Sequence, residues 1–211
     1  MENILEPLKI FISYSHKDKK MKEKLISHMS ALVRQKYVML WYDNMILPGK
    51  ELDENVMEAL RTSQIVLLLL SADYLASDYC YDIEMKEALM FREQKKMEVI
   101  PILLREVDLK GTPVERLLFL PEDRKAVSSF QDEDGAYKNI VDGIRRVAES
   151  WYRKKIPDLD ADTVHHASVN FEKDAMENSG NHGFEFHGNH IQGGNFVVNN
   201  YEGTTAWTKR G

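Results

Sequence analysis

The apolar run IVLLLL, from Ile65 to Leu70, constrains the fold of this chain more than any other segment. Six aliphatic residues without polar alternation are typical of a strand that is covered on both faces, as in the middle of a parallel sheet. Polar residues follow at once in SADYLASDYCYDIE, residues 71–84, and a helical pattern begins near Asp82. Because functional groups of open α/β sheets gather at the carboxyl ends of the strands, we expect Glu84 to lie at a functional edge.

Strand and helix patterns alternate over residues 8–150. The predicted strands cover residues 8–13, 37–43, 65–70, 99–104 and 126–130, and the predicted helices cover residues 18–34, 51–62, 82–95 and 136–152. Pro101 has no N–H to donate, which places the fourth strand towards the sheet edge or at a bulge. The pattern predicts an α/β domain over residues 1–155, with a parallel sheet and helices on both faces.

Composition narrows the range of functions. The net charge is −6 and no basic stripe is present, so nucleic-acid binding has little support. Cys80 is the single cysteine, which excludes an internal disulfide and predicts a reducing, cytoplasmic environment. No apolar run approaches the ~20 residues that span a bilayer, so no membrane partner is expected.

The composition changes after about Lys155. Residues 156–180 are predicted to be a linker, and residues 181–211 are a tail rich in Gly, Asn and His. Within the tail, residues 184–201 combine β-branched and aromatic residues with Asn and Gln at low charge, which favours stacked β-strands. A disordered tail or a fragment of a β-repeat is the alternative. The tail histidines lack a carboxylate or cysteine pattern, so no metal site is predicted.

Three motifs carry a family resemblance. The segments FISYSHKD (11–18), WYDNMILPGKELDENVMEAL (41–60) and SADYLASDYCYDIE (71–84) together resemble a bacterial TIR domain. The resemblance covers roughly residues 8–150 and implies a flavodoxin-like fold with a five-stranded parallel sheet. It also implies either scaffold assembly or cleavage of the nicotinamide–ribose bond of NAD+. The tail resembles amyloid signalling motifs related to the RHIM type, to which Ile191-Gln-Gly-Gly is a partial match.

The resemblance implies a catalytic glutamate on the helix after the third strand, shortly after a Trp-Cys pair. Tyr79-Cys80 stands in that place, and the usual spacing would put the acid at Ile83. The chain therefore has either one inserted residue or a shifted helix start. Glu84 is the first candidate, Glu87 is the second because it lies on nearly the same helical face, and Asp82 is the third.

Further residues are candidates for substrate binding. Hydroxyls and turn amides after the first strand suit a nucleotide phosphate or ribose, although turn formation and helix capping explain them equally well. The resemblance adds a loop that borders the site and mediates contacts between domains. The full set is Ser13, Tyr14, Ser15, Asp43, Asn44, Ile46, Pro48, Gly49, Ser71, Tyr74 and Cys80. Packing alone is the competing interpretation for Cys80.

The chemistry of NAD+ explains why one carboxylate suffices. Nicotinamide leaves as a neutral molecule, so no general acid is needed, and the oxocarbenium-like ribose requires a nearby anion. The resemblance, together with this carboxylate, therefore implies an NAD+ nucleosidase with NAD+ as substrate and no cofactor. Expected partners are further copies through TIR–TIR contacts and a sensor protein with a matching tail. The alternatives are a non-catalytic TIR adaptor and a flavodoxin-like receiver or mononucleotide protein.

Overall fold

The computed structural model describes residues 6–42 and 52–155, together with the backbone of residues 191–193 and 196–198. The chain divides into two compact units, Met1–Asp174 and Ala175–Gly211. The domain boundaries predicted at residues 155 and 180 stay predictions.

The first unit is built on a parallel sheet. Its strands are β1 (Leu8–Tyr14), β2 (Val38–Trp41), β3 (Ile65–Leu70) and β4 (Glu98–Leu103), in the order β2-β1-β3-β4. Each neighbouring pair is parallel, with Ile10 opposite Ile65 and Ile65 opposite Glu98. The parallel sheet and the bounds of the third strand are confirmed, and the carboxyl ends of all four strands meet at one edge.

The fifth strand, predicted over residues 126–130, is wrong. This segment forms a 3₁₀ turn, Val127–Ser129, in which the Ser129 and Phe130 amides bond back to the Ala126 and Val127 carbonyls. The Ser128 amide bonds across, to the Leu104 carbonyl at 3.0 Å. The position beside β4 is taken instead by Leu120, which forms an isolated parallel bridge with Ile102. Leu120 receives a hydrogen bond from the Leu103 amide at 2.8 Å and donates to the Pro101 carbonyl at 2.9 Å. Among the described residues the sheet therefore has four strands, and Pro101 lies on its edge strand as predicted.

Helices cover both faces of the sheet. They are α1 (Lys19–His28), α2 (Ser30–Arg34), α3 (Leu52–Arg61), α4 (Ala72–Leu75), α5 (Lys86–Glu93) and α6 (Glu133–Lys155), with a π-helix, Tyr79–Met85, directly before α5. The single helix predicted over residues 18–34 is divided at Met29, and the final helix is longer than predicted. In the described part of the chain, none of the helices has the length and apolar content that crossing a bilayer requires.

Alternating side chains of the strands separate two hydrophobic cores. Ile10 and Ile12 of β1 pack with α1, α2 and α6 on one face, whereas Phe11 packs with α3, α4 and α5 on the other. All six residues of β3 have 0% exposure. This explains why the third strand shows no polar alternation, since both of its faces are covered.

The second unit contains an antiparallel hairpin of β5 (Ile191–Gly193) and β6 (Phe196–Val198). Ile191 pairs with Val198, and Gly193 pairs with Phe196. The hairpin falls within residues 184–201, for which the sequence predicts stacked β-strands.

Candidate functional site

A π-helix carries the first candidate carboxylate. The helix that follows β3 and α4 begins earlier than predicted, as the π-helix Tyr79–Met85, and continues into α5. A π-turn closes five residues along the chain rather than four, so it takes up one additional residue, and such turns are frequent at functional sites. The π-helix is therefore a local structure that accommodates one inserted residue between Cys80 and Glu84, and its early start also fits the alternative of a shifted helix start.

The three candidate acids have different surroundings. Glu84 is 7% exposed and accepts a hydrogen bond from Ser13 Oγ. Glu87 pairs with Arg61 Nε at 2.7 Å, and Asp82 forms an exposed ion pair with Lys86 at 2.6 Å. Of the three, Glu84 is the one that lines the pocket at the carboxyl end of β1.

This pocket lies at the carboxyl end of β1 and has a volume of about 350 Å³. The end of β1, the turn after it, α3 and the π-helix all contribute to the wall. The lining residues are Phe11, Ile12, Tyr14, Ser15, His16, Lys17, Val56, Ser77, Tyr79, Cys80 and Glu84. A carboxylate, an imidazole, an ammonium group and phenol rings thus surround one cavity, which suits a ligand with both charged and aromatic parts.

A chain of buried hydroxyl groups lies behind Glu84. Ser13 Oγ donates to Glu84 and accepts from the Tyr74 hydroxyl at 2.8 Å. The Tyr74 oxygen also lies 3.2 Å from the Cys80 carbonyl. Burial, followed by the negative charge of Glu84, raises the pKa of Tyr74 well above its usual value. Tyr74 is therefore a neutral phenol, and its hydroxyl remains a hydrogen-bond donor across the physiological pH range.

An ion network adjoins the hydroxyl chain at the same sheet edge. Arg105, which follows β4, bonds to the buried carboxylate of Asp18 at 2.8 Å and also to Asp73. Lys17 contacts Asp73 at 2.8 Å, and these two hydrogen bonds, from Lys17 first and then Arg105, lower the pKa of Asp73. Ser71 Oγ accepts from the Tyr74 amide as the N-cap of α4 and donates to Asp18. The network joins the turn after β1 to the start of α4.

A buried lysine packs at the ends of β1 and β2. The Lys22 ammonium lies 4.6 Å from the ring centre of Tyr14 and 4.4 Å from that of Tyr42. It is also 3.3 Å from the Tyr14 hydroxyl. Cation–π attraction of this kind strengthens when the cation is desolvated, so Lys22 holds the pocket residue Tyr14 against the end of β2.

The predicted site residues fall into three groups. Tyr14, Ser15, Cys80 and Glu84 line the pocket. Ser13, Ser71 and Tyr74 are buried next to it without lining it. The loop candidates, Asp43, Asn44, Ile46, Pro48 and Gly49, lie outside the described residues.

Sequence reasoning missed several pocket residues. His16 and Lys17 directly follow the predicted binding residues of β1, so their position after a strand end was a usable signal. Tyr79 stands beside Cys80 and had a similar signal. The Asp18–Arg105 ion pair, which adjoins the pocket without lining it, had no such signal, because it joins segments 87 residues apart.

The fold and the pocket define an α/β domain with a parallel sheet and a cavity of about 350 Å³ at the carboxyl end of β1. The sequence profile of the TIR domain matches residues 10–141. The chain belongs to the TIR domain family.

Two curated proteins are similar to this chain in sequence. It is 37% identical over 139 residues to the uncharacterized protein y4lF of Sinorhizobium fredii, covering 66% of this chain and 43% of that protein. It is 24% identical over 104 residues to Toll-like receptor 2 of Bison bison, covering 49% of this chain and 13% of the receptor. The chain therefore spans less than half the length of either relative.

Solved structures similar to this chain include other TIR domains. The TIR domain of the Toll-related receptor TRR-2 from Hydra magnipapillata has a TM-score of 0.48 and 19% identity, covering 64% of this chain and 97% of that one. The TIR domains of the activated Roq1 resistosome recognizing the effector XopQ have a TM-score of 0.39 and 20% identity, covering 80% and 84%.

Proposed function

We propose that this protein is an NAD+ nucleosidase that cleaves the nicotinamide–ribose bond and releases nicotinamide with linear or cyclic ADP-ribose. One observation carries the proposal: Glu84 alone among the three candidate acids lines the pocket, and it does so as a largely buried carboxylate. Membership of the TIR domain family is consistent with this activity.

The proposed chemistry needs little proton transfer. Nicotinamide leaves as a neutral ring, and positive charge develops on the ribose as the glycosidic bond lengthens. The Glu84 carboxylate stabilises that charge, and its effect is strong because a buried site has a lower effective dielectric constant than water. Water then attacks the anomeric carbon and releases a proton to solvent, or a ring nitrogen of the adenine of the same molecule forms the new bond to that carbon.

The other pocket residues supply groups for binding NAD+. Lys17 lines the pocket as a cation suited to the diphosphate, and His16 lies next to it. Tyr14 and Tyr79 present aromatic rings for a base or for nicotinamide. On the family resemblance, we assign Asp43, Asn44, Ile46, Pro48 and Gly49 to a loop that borders this site and mediates contacts between TIR domains.

The test measures nicotinamide release by the purified full chain, with and without a crowding agent. Glu84→Gln is expected to lower turnover at least ~100-fold, because it removes the charge and keeps the shape of the side chain. Glu87→Gln is the matched control and is expected to remain within about two-fold, since Glu87 bonds to Arg61 away from the pocket. Unchanged turnover in Glu84→Gln would remove the proposed role, and no turnover in the wild type would favour a non-catalytic adaptor.

We further propose that the tail brings TIR domains together, as part of antiphage defence under an upstream sensor. Support comes from the hairpin β5–β6, whose pairing of Ile191 with Val198 and Gly193 with Phe196 leaves two outer edges of backbone groups. Open edges template pairing with other strands, and a two-stranded hairpin alone is marginal in water.

Val197→Pro tests this assembly in the full chain. Proline removes a backbone N–H from β6, so fibres with the ~4.7 Å strand spacing are expected from the wild type and not from this variant. Val197→Thr keeps a β-branched residue and is expected to behave like the wild type. A wild-type chain that stays monomeric at high concentration would count against the proposal.

A further inference from the structure

We infer that Ser13 and Tyr74 are positioning residues that hold the Glu84 carboxylate at the pocket wall and do not contact substrate. This inference rests on the proposed function of Glu84. It reassigns two residues that the sequence placed in the substrate-binding set.

The burial of both side chains supports the assignment. Ser13 is 1% exposed, Tyr74 is 0% exposed, and neither lines the pocket. A ligand in the pocket meets Glu84 first. The Ser13 hydroxyl therefore acts on the reaction through this carboxylate, and the Tyr74 hydroxyl acts on it through Ser13.

The hydrogen bonds supply the mechanism. Ser13 Oγ donates to Glu84 Oε2, and the Tyr74 hydroxyl lies 2.8 Å from the same Ser13 oxygen. Tyr74 is itself held by its contact of 3.2 Å with the Cys80 carbonyl in the π-helix. The chain therefore begins and ends in the π-helix, and a residue of β1 and a residue of α4 complete it.

This arrangement fixes one orientation of a flexible side chain. A glutamate has three rotatable bonds, and a carboxylate without a partner would sample several rotamers in a pocket of about 350 Å³. The donor belongs to β1, which is hydrogen-bonded to β2 on one side and to β3 on the other, so Glu84 is held by an inner strand of the sheet. Catalytic groups need such support to stay within a fraction of an ångström of their working position.

Two variants test the inference. Ser13→Ala removes the direct donor and is expected to lower kcat about 10- to 100-fold with KM changed less than about two-fold. Tyr74→Phe removes only a hydroxyl and is expected to lower kcat about three- to ten-fold. Since Tyr74 acts through Ser13, the double variant is expected to match Ser13→Ala within about three-fold. Ser13→Thr keeps the hydroxyl and is expected to recover most of kcat.

Matched controls separate positioning from stability. Ser63 is a buried serine, 3% exposed, that donates to the Ala59 carbonyl at 2.7 Å. It precedes β3 and therefore lies at the amino ends of the strands, away from the pocket at their carboxyl ends. Tyr152 is a buried tyrosine whose hydroxyl bonds to the backbone of Leu8 and Tyr37. Ser63→Ala and Tyr152→Phe are expected to lower Tm as much as the test variants while leaving kcat unchanged.

A crystal structure of Ser13→Ala gives a readout that does not depend on turnover. Glu84 is expected to leave its wild-type rotamer or to occupy several. An unchanged single rotamer, or unchanged kcat in both Ser13→Ala and Tyr74→Phe while Glu84→Gln is inactive, overturns the positioning role and leaves the proposed function standing. Full turnover in Glu84→Gln overturns the proposed function itself.

Discussion

The guanidinium group of Arg105 lies 2.8 Å from the buried carboxylate of Asp18, although 87 residues separate them in the sequence. Arg105 follows the edge strand β4, and Asp18 ends the turn after β1, so their ion pair spans the carboxyl edge of the sheet. The pocket residues His16 and Lys17 belong to that same turn. The ion pair thus holds one wall of the candidate site.

Arg105→Met is expected to lower the free energy of unfolding by about 1–3 kcal/mol, because it leaves a buried carboxylate with its charge uncompensated. Urea unfolding measures the change. Arg146→Met is the control, since Arg146 pairs with Glu122 on the exposed surface, and its effect is expected to stay below about 0.5 kcal/mol. Equal effects of the two variants would contradict the structural role of Arg105.

Tyr152 is expected to make the folded protein less stable as the pH rises above about 10. Burial raises its pKa from 10.0 to about 12, so the folded protein keeps a proton that the unfolded chain releases. Its contribution is complete below pH 10 and is lost as the pH rises towards 12. Between pH 10 and 12, the free energy of unfolding is expected to fall by about 2 kcal/mol less in Tyr152→Phe than in the wild type. Urea unfolding near neutral pH and at alkaline pH measures the difference. The same decrease in unfolding free energy in both proteins would contradict the prediction.

Two glycines of α6 are expected to respond oppositely to alanine. A Cβ at Gly143 would come within 2.6 and 2.7 Å of the two methyl carbons of the buried Leu120, so Gly143→Ala is expected to destabilise by about 1–3 kcal/mol. At Gly135 the nearest atom is Asp132 Oδ2 at 3.1 Å, and a small rotation of this exposed carboxylate relieves the contact while Oδ1 keeps its hydrogen bond from the Asp134 amide. Gly135→Ala is therefore expected to stabilise by up to about 1 kcal/mol through helix propensity. Thermal unfolding of both variants checks the opposite signs, and stabilisation by Gly143→Ala would show that Leu120 relaxes.

Deletion of Ile83 tests the role of the π-helix. Ile83 is 44% exposed, whereas Cys80 and Met85 on either side are buried anchors. Removing one residue between these anchors is expected to convert the π-turn to an α-turn and to keep Glu84 on the pocket side. Nicotinamide release is then expected to remain within about ten-fold of the wild type, and a loss comparable to that of Glu84→Gln would show that the π-turn itself is required.

Much of the fold could be predicted because local patterns report which faces of an element are buried. The run Ile65–Leu70 has no polar position because helices cover both of its sides, and its predicted bounds match β3. The segment 126–130 has strand-like composition, yet Leu120 already occupies the edge of β4. Composition alone cannot show that an edge is taken by another segment.

Some features of the candidate site could likewise be predicted from the sequence, and others depended on the tertiary structure. The sequence by itself determined that a carboxylate near Glu84 follows a buried central strand, because strand order and hydrophobicity are local properties. Only the tertiary structure decided between Glu84 and Glu87 as a pocket residue, through a π-turn that changes which side chains share a face. It also decided that Ser13 faces Glu84 and not the cavity, since contacts between residues 71 positions apart depend on how the strands and helices pack.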